Sequence, residues 1–436
     1  MAGTLTYSGC TVNVGARGSH KFAFEPAPEA AMVRSMRVPL LDLSQQYRAL
    51  AGPLRAEIDQ VLSSQRFILG PKVKEFEKAM REFCGAPYAI GVSSGTDALL
   101  AILMALGIGP GDAIITTAYT FFATAGCVVR LGATPVFVDI DSITGNISTS
   151  ALEGLLREKC ERKNGTLTLR KTGAKIRAII PVHLFGLCCD MNSVRTISEE
   201  FGIPVIEDAA QAIGAEYLSA SGTRMAGTMG VAGFFSFYPS KNLGAAGDAG
   251  LIVCQEEGLA EKLFPLREHG MRPRYYHSFV GGNFRLDEIQ AAILKVKLPY
   301  LQNWSAARRA AADFYREQFT AAELTDTIRL PAEPYRDLVK EHHIYHQYAI
   351  RTPHRDALRQ HLTKSEIGTE IYYPLGLHLQ NCFRDLGYRE GDLPQTELAT
   401  RETLALPIYP EISREAQRYV VDVIAQFFTA QARDGG

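Results

Sequence analysis

The sequence predicts an α/β fold: a large domain with a mostly parallel, seven-stranded sheet flanked by helices, followed by a smaller C-terminal α+β domain. Seven short runs are apolar throughout, which is typical of strands that are buried on both faces of a sheet. Helical or loop stretches separate most of these runs, and this alternation favours parallel pairing. With 436 residues, the chain is long enough for more than one domain.

Three segments are predicted along the chain. Residues 1–36 are rich in Gly, Ala, Ser and Pro, and they lack the ordered basic, apolar and small-residue regions of a signal peptide. We interpret them as a disordered extension or as the product of a start codon assigned too early. The large domain is predicted over residues 37–298 and the small domain over residues 299–436.

The order of elements in the large domain follows from changes in periodicity. Residues 53–63 and 71–83 have the pattern of amphipathic helices. A polar, strongly basic stretch between Leu155 and Lys175 is interpreted as a solvated surface insertion. The seven predicted strands are Tyr88–Val92, Ala113–Thr117, Thr134–Val138, Ile176–Val182, Pro204–Glu207, Ala232–Ser236 and Leu251–Cys254.

The last third of the sequence changes character. A helical pattern over residues 287–319, interrupted near Pro299, carries the chain out of the large domain. Strands are predicted near residues 344–350 and 367–373, and a closing helix is predicted near residues 413–430. This mixture predicts the smaller α+β domain.

Composition excludes several classes of protein. A formal net charge of −1 argues against a nucleic-acid binder that neutralises many phosphates. No apolar run approaches the roughly 20 residues that span a bilayer, so we expect no membrane insertion. The eight cysteines are scattered, without a C-x-x-C pair or zinc-finger spacing. We therefore expect free thiols in the cytoplasm and no metal site.

A lysine in an unusual setting is the first candidate for chemistry. Lys241 follows a predicted buried strand, inside a turn built from Ser, Pro, Asn and Gly. A lysine on a surface loop is usually only solvated, but one at the end of a core strand is partly desolvated. Desolvation lowers its pKa and makes the amine a nucleophile toward an aldehyde. Gly244, Gly247 and Gly250 permit close approach of a cofactor.

An acidic residue ends another predicted strand. Asp208 follows Val205–Glu207, at the carboxyl end where ligands sit in open α/β sheets. Two interpretations stand for its side chain. It is either the N-cap of a helix, or a carboxylate that keeps a pyridine nitrogen protonated and so strengthens the ring as an electron sink.

A strand, a small-residue turn and an apolar helix come together at Val92–Leu99. The backbone N–H groups at the start of such a helix, assisted by the helix dipole, can hold a phosphate. Ordinary helix capping explains Ser94, Gly95 and Thr96 equally well.

These segments together resemble the DegT/DnrJ/EryC1/StrS sugar aminotransferases, within the aspartate-aminotransferase (type I) fold. The resemblance covers residues 38–412, nearly the whole chain after the predicted extension. Its seven markers occur in the order that the family has: Pro39–Leu43, Ser94–Leu99, Tyr119–Thr124, Glu207–Gln211, the turn around Lys241, Gly282–Arg285 ahead of Ile289–Ala292, and Tyr373–Leu375 with His378.

The resemblance implies pyridoxal 5′-phosphate (PLP) as the cofactor. It makes Lys241 the Schiff-base lysine and Asp208 the partner of the pyridine nitrogen. It places Gln211 near the ring hydroxyl and Phe121 on the face of the pyridine ring. Without the family, Phe121 would be interpreted as core packing and Gln211 as a structural hydrogen-bonding group.

The resemblance also implies how the cofactor phosphate is held. Gly95, Thr96 and Ser236 would bind it from the same chain, and Asn283 would reach it from the neighbouring subunit. Asn283 is otherwise interpreted as a turn residue after two glycines. The implied role predicts a homodimer with shared active sites.

Substrate contacts are implied for a further set of residues. In the histidine-rich stretch 342–348, strand alternation would place His342, Ile344 and His346 on one face, and no acidic or cysteine ligand completes a metal site. The family has a similar pattern near its sugar site. The substrate contacts that the resemblance implies are Arg285, His343, Tyr345, Tyr373 and His378. Gly376 stands where the family more often has proline, which leaves the shape of the substrate pocket open.

The implied activity is the transfer of an amino group from an amino acid, by family habit L-glutamate, to a nucleotide-linked keto sugar. This places the protein in amino-sugar or surface-polysaccharide biosynthesis. Three alternatives remain: an aminotransferase for a cyclic non-sugar ketone, a sugar dehydratase, and a non-catalytic regulator. The dehydratase branch carries histidine in place of Lys241, and a regulator would not need to keep Lys241 and Asp208.

Overall fold

The structure, a computed structural model, describes residues 36–434. The predicted extension over residues 1–36 therefore lies outside the described residues, apart from Met36. The described helices are α1 (Ser44–Ser64), α2 (Pro71–Cys84), α3 (Gly95–Ala105), α4 (Ala123–Arg130), α5 (Thr149–Lys159), α6 (Met191–Phe201), α7 (Glu257–Leu266), α8 (Glu288–Lys297), α9 (Leu301–Ala321), α10 (Arg355–Lys364), α11 (Pro394–Glu402) and α12 (Arg414–Asp434).

Thirteen strands lie within the described residues. They are β1 (Tyr88–Val92), β2 (Asp112–Thr117), β3 (Thr134–Val138), β4 (Cys160–Lys163), β5 (Thr166–Leu169), β6 (Lys175–Ile180), β7 (Ile206–Asp208), β8 (Glu216–Ser219), β9 (Gly222–Met225), β10 (Ala232–Ser236), β11 (Gly250–Cys254), β12 (Tyr348–Arg351) and β13 (Thr403–Leu406). Each of the seven strands predicted for the large domain is present, with ends that differ by two residues at most.

The central sheet has the order β1-β11-β10-β7-β6-β2-β3. Parallel bridges from Ile179 to Val205 and from Val182 to Asp208 join its two halves between β6 and β7. β11 runs antiparallel to both of its neighbours, and the other pairs are parallel. The prediction of a mostly parallel, seven-stranded sheet is confirmed.

Helices cover both faces of this sheet. Alternate strand residues point to opposite faces, so Ile114 and Ile115 of β2 belong to two different hydrophobic clusters. One cluster packs under α3, α4 and α7, and the other packs under α2, α5, α6 and α8. This double cover explains why the strands are apolar throughout.

The basic stretch between Leu155 and Lys175 folds as a hairpin of β4 and β5. Its charged side chains are exposed, as predicted for a surface insertion, while Leu167 and Thr168 are buried. β5 pairs with the start of β6 through Thr168 and Lys175. The insertion is therefore attached to the sheet.

The C-terminal part has a hydrophobic cluster of its own, formed between α9, β12, β13, α10 and α12. Of the two predicted strands, the first begins at Tyr348, later than predicted. The prediction of a strand at 367–373 is wrong, because this segment makes only isolated bridges from Ile367 to Val38 and from Glu370 to Ala405. β13 was not predicted.

The strand alternation predicted for the histidine-rich stretch is wrong as well. His342–Gln347 precede β12, and Tyr345 has a positive φ of 44°. His342, His343, Ile344 and His346 are all buried. No alternation of faces applies to these side chains.

The division into two domains stays a prediction. The chain from Met36 onward clusters as one compact unit, and Val38, at its start, packs in the C-terminal cluster. None of the described helices is long and apolar enough to cross a membrane. The described residues also contain no group of three or more His, Cys, Asp or Glu side chains that could hold a metal ion.

Candidate active site

Two adjacent acids at the carboxyl end of β7 have different surroundings. Glu207 is fully buried and accepts hydrogen bonds from the backbone N–H groups of Gly227 (2.8 Å) and Gly230 (2.6 Å) and from Nε2 of His183 (2.9 Å). All of these partners belong to the scaffold. Glu207 therefore fixes a loop, and Asp208 is the acid that remains for chemistry.

The Asp208 carboxylate is buried and held by two donors. Its Oδ2 accepts from the hydroxyl of Thr124 (2.8 Å), and its Oδ1 accepts from the N–H of Ala210 (3.1 Å). Burial raises the pKa of Asp208, while these hydrogen bonds and the positive charge of Lys241 act in the opposite direction. A buried carboxylate of this kind favours a cationic partner.

Lys241 lies in the turn that follows β10, the strand next to β7. Its backbone N–H donates to the carbonyl of Tyr238 (2.8 Å), and its side chain is partly buried. Within the described residues, no hydrogen bond or ion pair engages its amine. Burial lowers the pKa of Lys241 to about 8, and the negative charge of Asp208 opposes this shift. Near pH 8 about half of the amine is therefore unprotonated and nucleophilic.

Aromatic rings form a wall beside this pair. Phe121 is 57% exposed, and its ring centroid lies 6.4 Å from that of Tyr373. Nε2 of Gln211 donates to the Tyr373 hydroxyl (3.0 Å), and Oε1 of Gln211 accepts from the N–H of Phe185 (2.8 Å). Gln211 thus links Tyr373 to the segment that follows β6, and Phe121 offers a free ring face.

The start of α3 lies against the end of β10. A Cβ atom on Gly95 would lie 2.8 Å from the Cβ of Ser236, so only glycine permits this close approach. The first N–H groups of a helix have no acceptor within it, which leaves those of Gly95 and Thr96 available. The Ser236 hydroxyl lies beside them. The arrangement is suited to a phosphate group.

Asn283 and Arg285 lie on a segment that pairs with the end of β1. The N–H of Ser93 donates to the carbonyl of Phe284 (2.9 Å), and Arg285 forms a backbone bridge with Val92. The Asn283 side chain is exposed. The Arg285 guanidinium has a buried Nε and makes no hydrogen bond or ion pair within the described residues. An unpaired cation thus lies near the start of α3.

The other predicted substrate contacts are buried among neighbouring side chains. His343 and Tyr345 stack on each other, and the Tyr345 hydroxyl donates to Glu333 (2.5 Å). Nε2 of His378 lies 3.2 Å from Glu397. Within the described residues no hydrogen bond joins these three side chains to Lys241, and their predicted contacts with substrate stay predictions.

Gly376 explains how His378 comes to be buried. A Cβ atom on Gly376 would lie 2.7 Å from the His378 ring. The absence of a side chain at this position lets the ring fold back toward Glu397. The position of the His378 ring therefore depends on the residue that departs from the usual family pattern.

Sequence reasoning missed the supports of the two central residues. Thr124 belongs to a quoted motif, but nothing local indicated that its hydroxyl would reach Asp208, 84 residues later. The role of His183 on Glu207 was missed for the same reason. Such contacts are set by the packing of the sheet.

Comparison with known proteins decides the family. The profile of the DegT/DnrJ/EryC1/StrS aminotransferase family matches residues 51–425. The chain belongs to this family. Its seven-stranded sheet is accordingly that of the type I PLP-dependent aminotransferases.

Three relatives illustrate the range of this family. The chain is 46% identical to the pleiotropic regulatory protein of Geobacillus stearothermophilus over 90% of its own length and 99% of the relative. It is 37% identical to the UDP-N-acetyl-3-dehydro-α-D-glucosamine 3-aminotransferase of Acidithiobacillus ferrooxidans, over 90% and 98% of the two chains. The crystal structure of S. venezuelae DesV in complex with a ketimine intermediate matches with a TM-score of 0.80 and 36% identity, over 90% and 98%.

As a member of this family, the chain is a PLP-dependent aminotransferase. The residues present fit the cofactor. A partly buried amine without a partner suits its aldehyde, a buried carboxylate suits its ring nitrogen, and a free aromatic face suits its ring. The close approach of Gly95 to Ser236 suits its phosphate.

Proposed function

We propose that this aminotransferase moves an amino group from L-glutamate to a nucleotide-linked keto sugar, in amino-sugar or surface-polysaccharide biosynthesis. The observation that carries the chemistry is an amine and a carboxylate that follow two adjacent strands. The Lys241 amine has no hydrogen bond or ion pair within the described residues, and the charge of the buried Asp208 acts on it. The support for a sugar substrate comes from the relative that acts on a UDP-linked sugar.

With PLP present, the Lys241 amine would hold the cofactor and would carry a proton between cofactor and substrate. PLP supplies an electron sink that stabilises a carbanion. Asp208 would pair with the ring nitrogen, and the Thr124 hydroxyl holds this carboxylate in place. Phe121 would cover the ring face, and Gln211 would lie beside the ring hydroxyl. The site would thus orient the reacting groups.

The start of α3 would hold the phosphate. Gly95 and Thr96 would donate backbone N–H groups, and Ser236 would donate its hydroxyl. Arg285, an unpaired cation near this helix end, is suited to a second anion such as the diphosphate of a sugar nucleotide. Tyr373, His343, Tyr345 and His378 remain the proposed sugar contacts.

The proposal includes a homodimer. Large apolar side chains are exposed near Asn283: Phe67, Ile68, Tyr275, Tyr276, Phe279 and Val280. Phe67 and Ile68 make backbone contacts with Glu288 and Asp287, close in sequence to Asn283. Exposed apolar groups of this size mark an interaction surface. A second copy covering this surface would bring Asn283 to the partner's phosphate site.

We further propose that the protein acts in the cytoplasm. The seven described cysteines are free thiols, and six of them are buried. Free thiols are typical of a reducing compartment.

Two alternatives deserve a test. The relative with 46% identity is named as a regulatory protein, which favours a non-catalytic role. The presence of Lys241 opposes the dehydratase, since that branch has histidine there. The Lys241–Asp208 arrangement opposes the regulator, because a regulator has no need for a partly buried lysine amine.

The decisive measurement is the absorption spectrum of the purified protein before and after addition of L-glutamate. We expect the band of the lysine–PLP adduct to be replaced by that of pyridoxamine phosphate, and a later keto sugar to restore it. Lys241→Ala should form no adduct, while Lys262→Ala, a change at an exposed lysine, should behave as wild type.

Each other outcome identifies a different error. A protein that forms no adduct even with added PLP contradicts the proposed chemistry and favours the regulator. A protein whose adduct band ignores L-glutamate has another donor or another reaction. A protein that responds to L-glutamate but aminates only cyclic non-sugar ketones contradicts the proposed acceptor.

A further inference from the structure

The turn that carries Lys241 is held by a residue from the C-terminal part of the chain. Asn242 is buried, and its Nδ2 donates to the carbonyl oxygen of Ile344 (2.9 Å). Its Oδ1 faces Nδ1 of His346 at 3.3 Å. Because the carbonyl of Ile344 can only accept, the amide orientation of Asn242 is fixed. The amide oxygen of Asn242 can only accept a hydrogen bond, so Nδ1 of His346 is the donor and carries a proton.

The His346 ring is neutral. Burial holds its pKa well below the ordinary value, and the positive charges of Lys241 and Arg308 lower it further. Arg308 lies on α9 and donates to the carbonyls of Tyr345 and Ile408. The charged groups that act on His346 are thus two cations. A proton on its second nitrogen would add a third positive charge to a buried place.

The backbone after Lys241 is anchored separately by α8. Nζ of Lys297 donates to the carbonyl of Gly244 (2.6 Å), and Oε1 of Gln290 accepts from the N–H of Ala246 (2.9 Å). These contacts fix the far end of the turn. The contact next to the lysine itself is made by Asn242, and its partners come from residues more than 100 positions later.

We propose that Asn242 and His346 are positioning residues for Lys241. The pair holds the lysine turn against residues 344–346, and the neutral ring keeps water and additional charge away from the amine. This inference rests on the proposed function of Lys241 as the lysine that binds PLP. It assigns to the C-terminal part of the chain a direct influence on the reactivity of a lysine in the central sheet.

The test compares His346→Leu with His346→Gln. Leucine removes the donor to Asn242, whereas the glutamine side chain carries an N–H that can replace it. Protein without PLP is treated with formaldehyde and cyanoborohydride at a series of pH values, and methylation of Lys241 is followed by mass spectrometry. For wild type we expect the pH dependence of Lys241 methylation to have its midpoint at about pH 8. The midpoint in His346→Leu should rise by roughly one pH unit, because without the hydrogen bond to Asn242 the lysine turn loosens and water reaches the amine, and His346→Gln should restore most of this change.

A second variant acts through charge. Asn242→Asp places a carboxylate beside His346 and in the region of Lys241, and it removes the donor to Ile344. We expect the methylation midpoint of Lys241 to rise by about one unit or more. Titration of the adduct band in the PLP-loaded protein should move in the same direction. His354→Leu, a change at an exposed histidine at the start of α10, is the control and should leave both values unchanged.

The outcomes separate this inference from the proposed function. Unchanged midpoints in both His346→Leu and Asn242→Asp, in proteins whose unfolding temperatures show them to be folded, would overturn the positioning role. If His346→Leu does not fold, His346→Gln and Asn242→Asp carry the test. A wild-type protein that forms no adduct with PLP would contradict the proposed function, while the methylation series still reports on the positioning of Lys241.

Discussion

At the scale of single residues, neighbouring side chains on β7 have separate tasks. Asp208 faces Thr124 and the charge of Lys241, whereas Glu207 accepts hydrogen bonds only from the scaffold. Strand alternation is the cause, because successive side chains point to opposite faces of the sheet. Substitutions of the two acids should therefore differ in kind.

Asp208→Asn should lower the rate of amino transfer by roughly 100- to 1,000-fold, because the charge opposite the ring nitrogen is lost. The loss of stability should be smaller than in Glu207→Gln, since the amide oxygen still accepts from Thr124 and only the single N–H of Ala210 is left facing the amide nitrogen. Transfer rates and urea unfolding of the two proteins measure this. Glu207→Gln is the matched control: the amide places N–H groups against backbone donors, which should cost about 2 kcal/mol of stability. Equal effects of the two changes on rate and stability would contradict the assignment.

The raised pKa of Asp208 predicts a pH dependence of stability in protein without PLP. The folded-state pKa of Asp208 lies above the ordinary value of 3.8. The stability that this group contributes is therefore fully present below pH 3.8 and is lost as the pH rises through the folded-state pKa. The unfolding free energy of wild type should fall relative to that of Asp208→Asn across this window. Urea unfolding at pH 4 and pH 7 tests the prediction, and parallel pH curves for the two proteins would refute it.

Lys241 and Asp208 stand out in the sequence because each follows an apolar run that predicts a buried strand, and their catalytic roles stay predictions. Their surroundings could not be predicted from the sequence. Thr124 lies 84 residues before Asp208 in the sequence, and His346 lies 105 residues after Lys241. Periodic patterns of apolar residues do not indicate contacts over such separations. Long-range contacts are decided by how elements pack.

At the scale of elements, the seven strands were found because a doubly covered sheet needs apolar runs. β13 was missed because Thr403–Leu406 directly follows α11, without a turn signal between the two. The segment before β12 contains buried histidines in an irregular backbone, which alternation rules do not describe. Sequence rules thus located the regular elements of the sheet and failed on the loops around it.

One helix start gives a prediction at this scale. The buried Glu288 carboxylate accepts from the N–H groups of Lys72 (2.5 Å) and Val73 (3.2 Å), so a residue of α8 caps α2. Glu288→Gln should lower the unfolding free energy by about 1–2 kcal/mol, because a charge at the helix N-terminus is lost. Glu257→Gln changes an exposed acid in the first turn of α7. It should lower the unfolding free energy by only a few tenths of the amount expected for Glu288→Gln. Urea unfolding compares them, and equal costs would argue against the cap.

At the scale of the whole molecule, the exposed apolar side chains around Asn283 predict a partner of the same sequence. Val280 is 84% exposed. Val280→Asp should leave the folded chain intact but weaken dimer formation by about tenfold or more, because a charge would be buried in the interface. Light scattering over a dilution series measures this. Leu338→Asp, also at an exposed apolar residue, is the control, and an unchanged dimer in Val280→Asp would contradict the proposed interface.

The pairing of β1 with β11 and the bridge from Val38 to Ile367 also matter while the chain is being made. A ribosome that adds about 5–20 residues per second needs roughly 10–30 seconds to reach the partner strand of β1, and longer still to reach Ile367. During this interval the apolar edge of β1 and the side chain of Val38 have no native partner. The nascent chain is thus a natural client for chaperones that shield such edges, until the last quarter of the sequence emerges.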